Sequence, residues 1–236
     1  MKIAVIQNTH GDEINGLHFP SFVDVFVGNP QAKEKGVRFI ESDLNRSFNG
    51  KTDTIEERRA VELKKILSPY DFVLDIHSTI SGKTNAVIST KLTSLEWHVG
   101  RKLAENFIYF PLMTNSLIHH VKNGVALELG GKEDLGVYQQ AIDNLLKIFF
   151  SNDLPIDRCK KAWHCFDSEK KKDGYLSLLK NYDHVKNGDV VAINLNGEHP
   201  KAIVAVEEFT TFLWGNNQYD DIYGFKLKKL FYQPRD

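Results

Sequence analysis

Two short runs that are apolar almost without a break, residues 3–6 (IAVI) and 72–76 (FVLDI), constrain this chain more than any other feature. A strand without polar alternation is buried on both faces, the condition of a parallel strand inside a helix-covered sheet. Each run leads into a histidine: His10 in the turn His10-Gly11-Asp12-Glu13, and His77 directly. A histidine and a glutamate three positions apart face the same side of a helical turn, so His10 and Glu13 can converge on one point. If the two strands are parallel neighbours, His77 joins them at the carboxyl edge of the sheet, where open α/β folds place their sites. Two histidines and one glutamate, with a fourth position left to water, form the ligand set of a catalytic zinc. The competing reading makes His10 a helix cap and Glu13 a solvated first-turn acid favoured by the helix dipole.

The pattern elsewhere agrees with an α/β architecture. Residues 22–27 and 37–40 predict strands, and Thr54 with Glu57 forms a capping box that opens a helix to about Leu67, ended by Pro69. Strands are expected at 85–89, 108–112 and 125–129, and helices at 95–107 and 135–150. That alternation predicts a twisted, mostly parallel sheet with helices on both faces. From about Pro155 the grammar changes. Asn187-Gly188-Asp189, Asn196-Gly197 and Gly215-Asn216-Asn217 punctuate short apolar runs, which is the spacing of β-hairpins. Two domains are therefore expected: 1–154, and a smaller β-rich domain at 155–236.

Charge excludes several partners. Lys and Arg number 30 and Asp and Glu 31, a net charge of -1, so no whole-chain field recruits nucleic acid or an anionic membrane. No stretch approaches the roughly 20 apolar residues that span a bilayer, and the first residues lack the apolar core of a signal peptide. Cys159 and Cys165 form no disulfide framework and fit a reducing, cytoplasmic setting. His164 beside Cys165 supplies too few ligands for a metal site.

Two further places carry chemistry. Glu128 interrupts the apolar run VALELG, so its carboxylate must leave the sheet, find a partner such as Lys122 or Lys132, or work as a base beside a metal. Arg38 and Arg46 flank Asp43 and Asn45, offering two guanidinium groups and an amide to an anion; a surface ion-pair network is the alternative.

Taken together, the motifs resemble the succinylglutamate desuccinylase and aspartoacylase family, which is related to the zinc carboxypeptidases. The matching blocks stand in order: His10-Gly11-Asp12-Glu13; Asn29-Pro30 with Ala32 and Arg38; Asp43-Leu44-Asn45-Arg46 with Phe48; Asp75-Ile76-His77 with Thr79; and Glu128 followed by Gly130. The resemblance spans residues 3–131 and implies a zinc-carboxypeptidase-like fold. It implies one Zn2+ per chain on His10, Glu13 and His77, with Glu128 as general base and Arg38 steadying the oxyanion. Asn45 and Arg46 would hold a substrate carboxylate, and the β-rich domain would lend a tyrosine, for which Tyr219 is the best match and Tyr223 the runner-up. In aspartoacylase an arginine ten residues before the catalytic glutamate binds the aspartyl side chain; Ile118 stands there in this chain, with His119, His120 and Lys122 nearby.

The expected activity is that of a zinc-dependent amidohydrolase cleaving an N-acyl amino acid, such as an N-acetyl- or N-succinyl-amino acid. A zinc carboxypeptidase acting on a short peptide and a non-catalytic binding protein on the same fold are the alternatives. The expected partner is a small molecule, and assembly into a homo-oligomer is compatible with this reading.

Overall fold

In the computed structural model, which describes residues 1–79, 84–151, 155–194, 196, 200–215 and 219–231, the two apolar runs lie side by side in one sheet. In chain order the first elements are β1 (Ile3–Gln7), β2 (Asp24–Val27), α1 (Pro30–Lys35), α2 (Ile55–Leu67), β3 (Phe72–His77), β4 (Ala86–Ser89), α3 (Ser94–Leu103), β5 (Asn106–Tyr109), β6 (Gly124–Glu128) and α4 (Leu135–Phe150). Only strands follow: β7 (Lys161–Lys170), β8 (Leu176–Ser177), β9 (His184–Val185), β10 (Val190–Asn194), β11 (Lys201–Val204), β12 (Phe209–Phe212) and β13 (Ile222–Lys229). Ten strands form one sheet in the order β2-β1-β3-β6-β4-β5-β7-β13-β12-β9, and β11-β10-β8 form a small second sheet.

Five of the large sheet's pairings are parallel: β1 with β2 and β3, β3 with β6, β4 with β5, and β5 with β7. β4 runs antiparallel to β6, and the pairings beyond β7 are antiparallel. The connection leaving β1 runs to one side and that leaving β3 to the other, which opens a crevice at the carboxyl ends of these two strands. Their register is tight: His77 lies directly opposite Glu128 across the β3–β6 pair.

Alternate residues of the central strands feed two cores, as the period of a strand dictates. Ile3, Val5, Phe72, Leu74, Ile76, Val125 and Leu127 face α3 and α4, packing on Trp97, Leu103, Tyr138 and Leu145. Ala4, Ile6, Val73 and Ala126 face Ala60, Leu63 and Leu67 of α2 and also Ile88, Phe110 and Leu213. Helices therefore cover both faces. A third cluster, around Phe209, Trp214, Tyr223 and Val191, holds the carboxyl-terminal strands together.

The capping box is present, with Thr54 accepting from the Glu57 N–H and Glu57 from Thr54's. Three expectations are corrected. Residues 37–40 form no strand: Val37 and Phe39 are exposed, and the N–H of Ile40 donates to the Glu56 carboxylate rather than to a neighbouring strand. The helix expected at 95–107 stops at Leu103, because Ala104 is extended, and the following strand starts at Asn106 instead of 108. The Lys- and Glu-rich connection contains α1, capped by Asn29 with Pro30 as its first residue. Residue 154 of the expected boundary and the turn residues Gly197, Asn216 and Asn217 lie outside the described residues. Among the described residues no helix is long and apolar enough to cross a membrane.

Candidate active site

The turn after β1 can form because two glycines let backbones touch. A Cβ on Gly11 would stand 2.1 Å from the carbonyl carbon of Ala32 in α1, and one on Gly28 would stand 2.7 Å from the Cα of Thr9. His10 and Glu13 close an i to i+3 turn, with the Glu13 N–H donating to the His10 carbonyl at 3.2 Å, so they converge without a helix. Both are buried, as is His77 at the end of β3. Nδ1 of His10 lies 2.8 Å and Nδ1 of His77 3.2 Å from the same oxygen, Glu13 Oε1.

The far side of each ring is held by a second carboxylate. Nε2 of His10 donates to Asp43 Oδ1 at 3.0 Å, and Nε2 of His77 donates to Asp75 Oδ2 at 2.8 Å. Asp75 shares a strand face with His77 and takes a further hydrogen bond from the Thr9 hydroxyl at 2.7 Å. This is the arrangement in which outer carboxylates fix the tautomer of metal-binding imidazoles.

Electrostatics ties the cluster together. Burial alone would raise the Glu13 carboxyl, but the two imidazoles bring it down to about 2. Burial likewise opposes charging of the rings, yet Glu13 and Asp43 raise His10, and Asp75 and Glu13 raise His77 well above its usual value. Asp43 is pushed up by burial and brought far below the carboxylate range by His10, Arg46 and Arg38. Glu128 differs: burial pushes its carboxyl up to about 7, Glu13 adds to this, and the charges of His77, His10 and Arg38 only partly oppose it.

A divalent cation fits these residues. One donor atom each from His10, Glu13 and His77 lies within 4.8 Å of the others, the only such group among the described residues. Nitrogen and carboxylate donors in this ratio suit zinc. The carboxylates Glu13, Asp43, Asp75 and Glu128 outnumber the two histidines, and Glu128 Oε2 is buried without a hydrogen-bond partner. A cation would answer both.

One pocket, with an empty volume of about 470 Å³ including its open mouth, gathers the expected residues: His10, Glu13, Arg38, Asn45, Arg46, His77, Glu128 and Tyr219. Arg38 is half-exposed and pairs with Asp43 at 3.1 Å. Asn45 is buried, and its carbonyl oxygen accepts from the Leu117 N–H at 3.1 Å, which leaves the NH2 for a ligand. Arg46 is exposed and its Nη1 donates to the main-chain carbonyl of Asn45 at 3.0 Å. Tyr219 packs edge-on against Phe225, 5.4 Å between ring centres, and burial raises its hydroxyl pKa. The runner-up, Tyr223, lies in the third core with its hydroxyl donating to the Tyr175 carbonyl, away from the pocket.

Several expectations change here. Lys122 sits at the opposite end of β6, paired with Asp71 at 2.9 Å, and cannot partner Glu128. Ile118 is a core residue beside Leu117, and neither it nor His119 nor His120 lines the pocket; His120 stacks on Phe48. Cys165 is buried in the core. Ser78 and Thr79 follow His77 into the lining, and the apolar part of the wall is Ile88, Phe110, Met113, Leu213 and Phe225, residues for which the sequence offered no signal because they come from four separate stretches. Tyr138 of α4 was equally invisible: its hydroxyl shares one proton between the carbonyls of His77 at 2.5 Å and Gly130 at 2.9 Å and accepts from Leu129 N–H, fastening the ends of β3 and β6.

Comparison with known proteins bears on the family and the fold. The model of the succinylglutamate desuccinylase/aspartoacylase catalytic domain matches residues 21–152. A mouse (Mus musculus) N-acyl-aromatic-L-amino acid amidohydrolase (carboxylate-forming) is 32% identical over 55% of this chain, a match that spans 53% of the mouse protein. A probable aspartoacylase of Prochlorococcus marinus (strain NATL2A) is 26% identical over 84% of this chain and 82% of its own. The crystal structure of murine aminoacylase 3 superposes with a TM-score of 0.75 at 20% identity, covering 98% of this chain and 95% of that one, which speaks for the fold. On the strength of the family match over more than half its length, the chain belongs to the succinylglutamate desuccinylase/aspartoacylase family.

Proposed function

We propose that the protein is a zinc-dependent amidohydrolase that cleaves the amide bond of an N-acyl amino acid, with residues 1–154 as catalytic domain and 155–236 as β-rich domain. The observation that carries this reading is the register of His77 against Glu128, which sets a carboxylate with one buried oxygen lacking a hydrogen-bond partner beside the His10/Glu13/His77 cluster. Zinc held by these three residues would supply Lewis-acid polarisation of the acyl carbonyl and the attacking water. Glu128, raised toward neutrality by burial, takes the proton of that water and returns it to the leaving nitrogen. Arg38 faces the charge that develops on the acyl oxygen. Arg46 and the Asn45 NH2 hold the free α-carboxylate, and Tyr219 closes the opposite side.

The substrate class follows from the wall. Ile88, Phe110, Met113, Leu213 and Phe225 offer no cation to a second carboxylate, so the pocket suits an amino acid with a neutral, apolar side chain. The name of the mouse relative, an N-acyl-aromatic-L-amino acid amidohydrolase, points the same way. Leu213, Tyr219 and Phe225 narrow the pocket from the carboxyl-terminal side, which favours a small substrate over a peptide. The free thiols Cys159 and Cys165 suit a reducing, cytoplasmic setting. Zinc analysis of the purified protein, followed by kcat/KM on a panel of N-acyl amino acids, tests the proposal: about one zinc per chain and amide cleavage are expected, and a zinc-loaded protein inert toward the whole panel would overturn it.

A further inference from the structure

We infer that Asp43 is a positioning residue that locks three parts of the pocket to one another: the ring of His10, the guanidinium of Arg38 and the turn bearing Asn45 and Arg46. The inference rests on the reading of His10, Glu13 and His77 as a zinc site. Asp43 Oδ1 accepts from His10 Nε2 at 3.0 Å and from the Asn45 N–H at 2.8 Å, and Oδ2 accepts from Arg38 Nη2 at 3.1 Å. Its main-chain carbonyl accepts from the Arg46 N–H at 2.9 Å and the Ser47 hydroxyl at 2.8 Å. The three side-chain contacts bring a donor to each carboxylate oxygen, a demand that an ionised carboxylate meets, and the two main-chain contacts fix the turn.

The consequence for His10 is chemical. Its Nε2 can donate only when it carries the ring proton, and the lone pair then belongs to Nδ1, the nitrogen 2.8 Å from Glu13. Asp75 does the same for His77, but its other oxygen goes to Thr9, so it links no substrate-side residue. Among the described residues, Asp43 joins a metal-facing ring to an arginine in the pocket. An amide of the same shape cannot substitute. With its oxygen toward His10, an asparagine turns NH2 against Arg38; with its oxygen toward Arg38, it donates to Nε2 and moves the ring proton to Nδ1, removing the lone pair.

The test uses zinc itself as the probe. Zinc affinity of the wild-type protein and of Asp43→Asn is measured by competition with a chromophoric chelator, and kcat and KM are measured at saturating zinc. Affinity is expected to fall by roughly 10-fold to 100-fold, the range for loss of a carboxylate behind a metal-binding histidine, and kcat by roughly 10-fold or more as Arg38 loses its aim. A folded Asp43→Asn protein with zinc affinity and kcat both within about twofold of wild type would overturn the inference. Imidazole nitrogen-15 spectra of the zinc-loaded wild-type protein decide the matter without a variant: the proton of His10 is expected on Nε2, and finding it on Nδ1 would overturn the proposal. A wild-type protein that binds no zinc would instead overturn the metal reading beneath it.

Discussion

Glu128 and the ligands around it can be separated by substitution. Glu128→Gln keeps the shape but cannot accept a proton, so zinc should stay bound while kcat falls by roughly 100-fold to 10,000-fold; unchanged turnover would remove Glu128 from the mechanism. Burial raises this carboxyl in the metal-free site and a bound cation would oppose that shift, so the acid limb of kcat/KM that belongs to Glu128 is identified by its disappearance in Glu128→Gln. His77→Ala should lose most of the zinc, and retention by both His77→Ala and His10→Ala would end the metal assignment. These residues were legible because chemistry concentrates in short motifs: His10 and Glu13 share a turn, and His77 and Glu128 each end an apolar run. What Asp43 and Asp75 do for the rings was not legible, since a carboxylate in a polar stretch reads equally well as a surface ion pair until its partner's position is known.

Among the elements, the segment between α1 and α2 shows how a loop can carry pocket residues where a strand was expected. Residues 37–40 look extended and apolar, yet the N–H groups of Ile40, Glu41 and Ser42 all donate to the buried carboxylate of Glu56, with Asn29 as a fourth donor. One side chain on α2 thus does for this loop what a neighbouring strand would have done, and it sets where Arg38 and Asp43 stand. Glu56→Ala would strand these donors at a cost of about 3 kcal/mol, a drop of roughly 6–12 °C in Tm for a chain of this size. A Tm within about 2 °C of wild type would mean that water replaces the carboxylate without loss. Helix α2 was legible from its capping box, whereas α1, six residues with one buried side chain, had too little periodicity to reveal itself.

At the level of the whole molecule, the wall of the pocket decides which substrate fits, and its apolar part joins Ile88, Phe110 and Met113 to the later Leu213, Tyr219 and Phe225, with the Phe110 and Phe225 rings meeting at 4.6 Å. No sequence pattern announces such a surface, because each member is an ordinary core residue in its own stretch. N-acetylaspartate should not be preferred over N-acyl amino acids with neutral side chains, and amidating the α-carboxylate should abolish cleavage. A kcat/KM preference for acetylaspartate above about 100-fold, or roughly 3 kcal/mol, would mean that a cation reaches the side chain after all. The two sides of that wall are also joined in another sense. Strand β7 pairs with β5 through four successive residues, from Asn106 opposite Lys161 to Tyr109 opposite His164, and the sheet continues from there into β13 and β12, which lead to Phe225 and Leu213. A clamshell enzyme discriminates by closing, and needs a hinge between its jaws. Here one backbone ladder crosses the place where a hinge would lie, a geometry that favours a pocket of fixed width over one that closes on its ligand.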